Sequence, residues 1–354
     1  MTPLMYEMLS EITSLQPYMV NEAKFKDTKN KKDLGARLER LAEISSRVMV
    51  HKRTQVQSYR LSGEALNAHI QQLLKVYKGG NPSYARWMLA ATPFACASCH
   101  TQLPESPKPL WNITADQIEG NPFEKAEFLF ATRNYPEALD IYRTLGRAGA
   151  GLEGAELEKT YHHKLTILVR LNRDLAATEK ELSDDLEKGQ SLPGFLKKNI
   201  EGWRRQAGIL KKDSYFNLKK AAPLKKTLAT SAKLLEGRPR GFVASSNPDL
   251  VKFLYLSGQL YEALQNEAAS SPKIPEILYY LGLVDMGLNH EFFFSLGHLY
   301  LKECFQQNPK SPWAKRCYGE YRAEMENLYT GSRGVDLPPE VAEELEAAKI
   351  QLGL

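Results

Sequence analysis

A chain of 354 residues with 43% hydrophobic and 25% charged side chains has the composition of a globular protein and is long enough for more than one core. The net charge is only +5, and its excess sits early: residues 1–103 hold 14 Lys/Arg against 8 Asp/Glu. That mild basic balance suits an acidic partner, but no basic stripe with interleaved aromatics points to nucleic acid, and no apolar run reaches the ~18–20 residues a membrane helix needs.

Apolar residues recur at steps of three and four almost throughout, so the expected fold is all-α. A first helix over Thr2 to Asn21 places Leu4, Met5, Met8, Ile12 and Leu15 on one stripe. After a charged loop, "KFKDTKNKKD", a second runs through Leu34, Leu38, Leu41, Ile44 and Val48. Ser62 is the expected N-cap of a third, which carries Leu66, His69, Ile70, Leu73 and Tyr77 and stops at Gly79–Gly80. "NPSYARWMLAATPFACASCH" is the fourth, with Pro93 expected to kink or restart it and Pro104 to stop the helix four residues after His100. Four helices with short connections predict an antiparallel bundle over 1–104. A proline-rich linker, 105–124, separates it from a helical region over 125–354. There, "AEFLFATRNYPEALDIYRTL" resembles half of a tetratricopeptide repeat, with Tyr135, Ala138 and Tyr142 in the seam. "LSGQLYEALQNEA" repeats its turn and alanine helix, and Leu281-Gly282 with Pro309 marks a third unit. Stacked helix pairs of this kind build an α-solenoid whose concave face docks another protein.

Only four cysteines occur, and two stand three apart in "CASCH", directly before a histidine. Cys96, Cys99 and His100 allow covalent haem attachment, a redox CxxC pair, or half a zinc site. A redox pair belongs to a βαβ setting and no strands are expected; zinc lacks two further ligands, since Cys304 and Cys317 lie in the distant repeat region. On a helix, Cys96 and His100 share a face, so one segment can hold the haem edge and reach its iron, which favours haem c. No methionine occurs between His100 and Met286, which sets the chain apart from small c-type cytochromes whose methionine follows CxxCH.

With the motif on the last of four helices, residues 1–103 resemble the cytochrome c′ family, the class II c-type cytochromes. The resemblance implies a helical bundle carrying one covalent haem, His100 as proximal ligand, and a first-helix residue on the opposite face. Met5 is the preferred residue there, as ligand or blocking side chain, with Met8 the runner-up and Met19 weaker. It also admits a dimer of bundles. His69 is read as a core histidine and a rival ligand only in second place; adjacent His162 and His163 point apart, and His290 and His298 are read as packing or solvent-facing.

The expected function is electron transfer by a periplasmic or otherwise exported monohaem cytochrome, with the repeats docking the partner. Haem is attached outside the cytoplasm, and the N-terminus lacks the basic and apolar regions of a signal peptide, so a mature form is expected. The alternatives are a five-coordinate haem that binds small gases and an interaction scaffold in which haem is structural. No Ser/His/Asp pattern, phosphate-binding glycine loop or carboxylate pair suggests an enzyme. Cys304 and Cys317 flank the turn "NPKSP" almost symmetrically, which brings them to one level of an antiparallel pair and predicts a disulfide in an oxidising compartment.

Overall fold

In the computed structural model, residues 3–51, 57–102, 113–148, 152–189, 192–235, 249–288 and 296–354 are described. His290, Pro104 and residues 105–112 of the expected linker lie outside them. Among the described residues the fold is all-α: sixteen α-helices, with one two-residue antiparallel pairing, Thr330–Gly331 on Gly334–Val335.

The N-terminal helices follow the apolar stripes. α1 (Pro3–Val20) buries Met8, Ile12 and Leu15; α3 (Lys31–Met49) buries Leu34, Leu38, Leu41, Ile44 and Val48. Each such side chain contributes roughly 1.5–3 kcal/mol by leaving water. Within the charged loop the chain forms a short α2 (Glu22–Lys26) and a 3₁₀ turn, segments too short and polar to carry a helical period. α4 (Gln57–Lys78) starts a full turn before Ser62. Ser62 is therefore not an N-cap: it is a buried interior residue whose hydroxyl accepts from Gln102 Nε2 at 2.7 Å. α5 (Pro82–His100) is capped by the Asn81 side chain, which accepts from the Tyr84 N–H at 3.1 Å. It runs unbroken through Pro93, so the expected restart does not occur. α1 lies against α3 and α5, α3 against α4, and α4 against α5.

α6 (Pro122–Ala131) begins with a reciprocal capping box between Asn121 and Glu124 and packs on both α5 and α7 (Tyr135–Ala148). One apolar cluster runs from Ile12, Leu15 and Leu38 through Phe128, Leu129 and Phe130 to Tyr142 and Leu168. The remaining helices are α8 (Gly154–Leu165), continued by a π turn (Thr166–Leu171), α9 (Leu175–Lys188), α10 (Gly194–Leu210), α11 (Leu224–Leu235), α12 (Leu250–Asn266), α13 (Ile274–Gly287), α14 (Gly297–Gln307), α15 (Ala314–Leu328) and α16 (Pro339–Leu352). They form a second cluster, which also takes Leu61 of α4. Tyr135, Ala138 and Tyr142 are buried, as the repeat pattern predicts. The turn expected inside "LSGQLYEALQNEA" is absent, because α12 is continuous through Ser257 and Gly258. There the missing side chain serves close approach: a Cβ on Gly258 would stand 3.2 Å from the Arg170 carbonyl oxygen. Cys304 and Cys317 are joined as a disulfide across the α14–α15 turn, with Cα atoms 6.2 Å apart.

Candidate functional site

The CxxCH segment is the C-terminal turn of α5, and its three side chains are half-buried. A cavity of about 30 Å³ opens beside it, lined by Met5, Met8, Leu9 and Ile12 of α1, Pro93, Cys96 and His100 of α5, and Ala131 and Thr132 at the end of α6. The fold therefore brings Met5 and Met8 to the same cavity as Cys96 and His100. Met8 is buried at 3% exposure, whereas Met5 is half-buried. Met19 is buried in the same cluster and does not line the cavity.

His100 is held at both ends. Its Nδ1 lies 3.0 Å from the Ala131 carbonyl, and its own carbonyl accepts from the Tyr135 hydroxyl at 3.3 Å. A carbonyl can only accept, so the neutral ring carries its proton on Nδ1 and keeps the Nε2 lone pair free. The Ala131 carbonyl is available because it belongs to the last turn of α6, which has no helical partner for it. Burial, with a smaller contribution from the Arg133 charge, pushes the His100 imidazole down to about 4, so it is neutral at physiological pH.

Cys96 and Cys99 are both free thiols. Burial pushes each up to about 12, opposed at Cys99 by Arg133. Redox-active CxxC pairs work through a thiol whose pKa is lowered, so this environment is unlike theirs. Among the described residues no group of three or more His, Cys, Asp or Glu converges as a metal site. Three further histidines have their own partners. His69 is buried with Nε2 at 2.9 Å from the Met88 carbonyl and 3.2 Å from Thr92 Oγ1. His162 meets the Trp203 ring edge-on, and His163 bonds Glu127 at 2.7 Å while stacking on Phe130. They point apart, as their adjacency predicts.

The residues fit a covalent haem by their chemistry: two thiols one helical turn apart, a neutral imidazole oriented through its remote nitrogen, and an apolar wall. Hydrogen-bonded orientation of this kind is the usual support of a ligating histidine. The space is smaller than the group, since cofactor sites enclose roughly 300–1,000 Å³. α1 forms one wall of the cavity. Its C-terminal half is tied by paired Gln16–Glu119 bonds and by Arg86 to the Met19 carbonyl, while the turn carrying Met5 and Met8 has the surface Glu7–Arg47 pair.

The Ala131, Thr132 and Arg133 turn was not foreseen as part of the site, because its link to His100 spans 31 residues and no local pattern encodes it. No known family, curated protein or solved structure matches the chain. Among the described residues no helix is long and apolar enough to cross a membrane.

Proposed function

We propose that this protein is an exported monohaem c-type cytochrome of the class II kind. Cys96 and Cys99 hold haem c through thioethers, His100 is its proximal ligand, and Met5 stands on the opposite side. In this reading α1, α3, α4 and α5 are the haem bundle, and the helix pairs from α6 onward are a repeat array that docks a protein partner. The observation that carries the proposal is the His100 Nδ1 bond to the Ala131 carbonyl, beside a cavity that a methionine pair also lines. Haem c supplies one-electron chemistry when bound. The chain's own part is to orient the imidazole, keep it neutral and line the site with side chains that exclude water. Docking the partner on the same chain raises the effective concentration of the redox centre beside it. The disulfide supports an oxidising compartment.

Intact mass after denaturation, on protein from cells competent in cytochrome maturation, should exceed the polypeptide mass by one haem. The bare polypeptide mass would refute the reading. A reduced spectrum unchanged by carbon monoxide is expected for six-coordinate electron transfer; a gas-sensitive spectrum would move the role to small-gas binding.

A further inference from the structure

The end of α6 holds an arginine in a conformation that favours glycine. The Asn134 N–H donates to the Leu129 carbonyl at 2.8 Å and the Arg133 N–H to the Phe130 carbonyl at 3.1 Å, the two bonds of a Schellman closure. Arg133 therefore takes the left-handed position, with φ 72°. A side chain there is disfavoured by roughly 1–2 kcal/mol relative to the right-handed region, and glycine is the ordinary occupant. Among the described residues only Arg173 shares this property outside glycine.

The residues around Arg133 serve His100: Ala131 accepts from its Nδ1, Thr132 lines the cavity beside its ring, and Tyr135 donates to its backbone carbonyl. The side chain of Arg133 thus leaves from the turn that cradles His100 and carries a guanidinium, a planar cation with five N–H donors. Its charge reaches Cys99 and His100: burial is the larger influence on both, and Arg133 opposes it at the thiol and adds to it at the ring. Arg170, from the π turn, adds a second cation at the same helix end, with Nη1 at 3.2 Å from Thr101 Oγ1.

We propose that Arg133 is a positioning residue that fixes a positive charge beside His100 and so raises the reduction potential of the haem this histidine holds. The inference rests on the proposed function. A fixed positive charge in a partly desolvated site favours the state with one more electron, and hydrogen bonding and charge around the ligand are among the levers a protein has on such a potential. It also accounts for an arginine at a position where glycine would relieve the backbone.

The test uses the full-length, haem-bearing chain and the variants Arg133→Gly, Arg133→Gln and Arg133→Lys, each measured by potentiometric titration and thermal unfolding. The glycine and glutamine variants are expected to titrate at lower potential than the parent, and the lysine variant close to it. The glycine variant should unfold at the parent's temperature or above, since the turn is eased. Equal midpoints in all four proteins would overturn the inference. So would a lysine variant displaced as far as the glycine one, because it retains the charge. A chain shown by mass to carry no haem removes the proposed function and this inference together. An unchanged potential in haem-bearing Arg133→Gly removes this inference alone.

Discussion

Glu127 shows how a buried group can be made strongly acidic by its neighbours. Burial pushes its carboxyl up, but the His163 ring and the Lys159 ammonium outweigh it and bring the pKa down to about 2. His163 Nδ1 stands 2.7 Å and the Tyr142 hydroxyl 2.6 Å from Oε1, and Lys159 Nζ lies 2.8 Å from Oε2. Because the folded pKa lies below the unfolded carboxylate value, the contribution is complete above about pH 4.5 and is lost as pH falls toward 2, about 3 kcal/mol in all. Urea unfolding from pH 7 to 2 should show this acid limb, and Glu127→Gln should be less stable at pH 7 and lack it; an unchanged limb in the variant would count against the assignment. The methionines separate in the same manner. Met8→Ala removes a fully buried side chain and should lower stability by about 2–4 kcal/mol, whereas Met5→Ala should cost less. If Met5 stands opposite His100, its replacement changes the reduced spectrum; a change only on replacing Met8 reassigns the position. At this scale, Cys96, Cys99 and His100 were legible because their chemistry is written within five residues. Ala131 and Arg133 were not, since a backbone carbonyl carries no sequence signature and the polar turn "TRN" marks Asn134, not Arg133, as the left-handed residue.

Helices were legible wherever an apolar stripe ran for several turns, as in α1 and α3. They were misread where a local signal competed with a distant contact. Ser62 looks like a cap, but Gln102 accounts for its hydroxyl; Gly258 looks like a turn, but it admits the Arg170 carbonyl against α12. The α13–α14 pair is the clearest case of sequence serving approach between elements. A Cβ on Gly297 would stand 2.6 Å from Met286 Cγ and 2.9 Å from both the Gly282 oxygen and the Met286 nitrogen. Backbone cannot turn aside as a side-chain tip can. Gly297→Ala should therefore force α13 and α14 apart and lower the unfolding free energy by at least about 1–3 kcal/mol in urea titration. Gly282→Ala, which meets mainly the Leu301 side chain, should cost less. Equal stability of Gly297→Ala and the parent would show that the two helices do not approach this closely. The disulfide belongs to the next pair along, and its 13-residue separation gives an entropic contribution of about 3 kcal/mol. Reduction under native conditions should lower the unfolding midpoint accordingly and, if haem c is bound as proposed, leave its spectrum unchanged.

For the whole chain, composition and periodicity yield the helical class, but they do not show how strongly its parts depend on one another. α6 and α7 share an apolar cluster with α1, α3, α4 and α5, so Phe128, Leu129 and Phe130 are buried against residues far earlier in the sequence. In the other direction, the first turns of α4 pack on α12, Leu61 enters the second cluster, and Arg60 pairs with Glu303. Gln102, two residues past the motif, bonds Ser62 at 2.7 Å and lies 3.4 Å from the Tyr300 hydroxyl. Such reciprocal burial makes the N-terminal helices a poor candidate for folding alone. A fragment ending at residue 112 would expose the α5 face that α6 covers and would leave His100 without the Ala131 carbonyl. We expect that fragment to unfold without a sharp transition and to bind a hydrophobic dye, while the full chain unfolds cooperatively with Trp87, Trp203 and Trp313 reporting one midpoint. Trp87 and Trp203 stand on α5 and α10 and Trp313 at the N-cap of α15, so separate midpoints for single-tryptophan variants would reveal units that fold on their own. A fragment that melts as sharply as the parent, and that matches its spectrum if haem is bound as proposed, would establish that the helices after α5 contribute nothing to holding the motif.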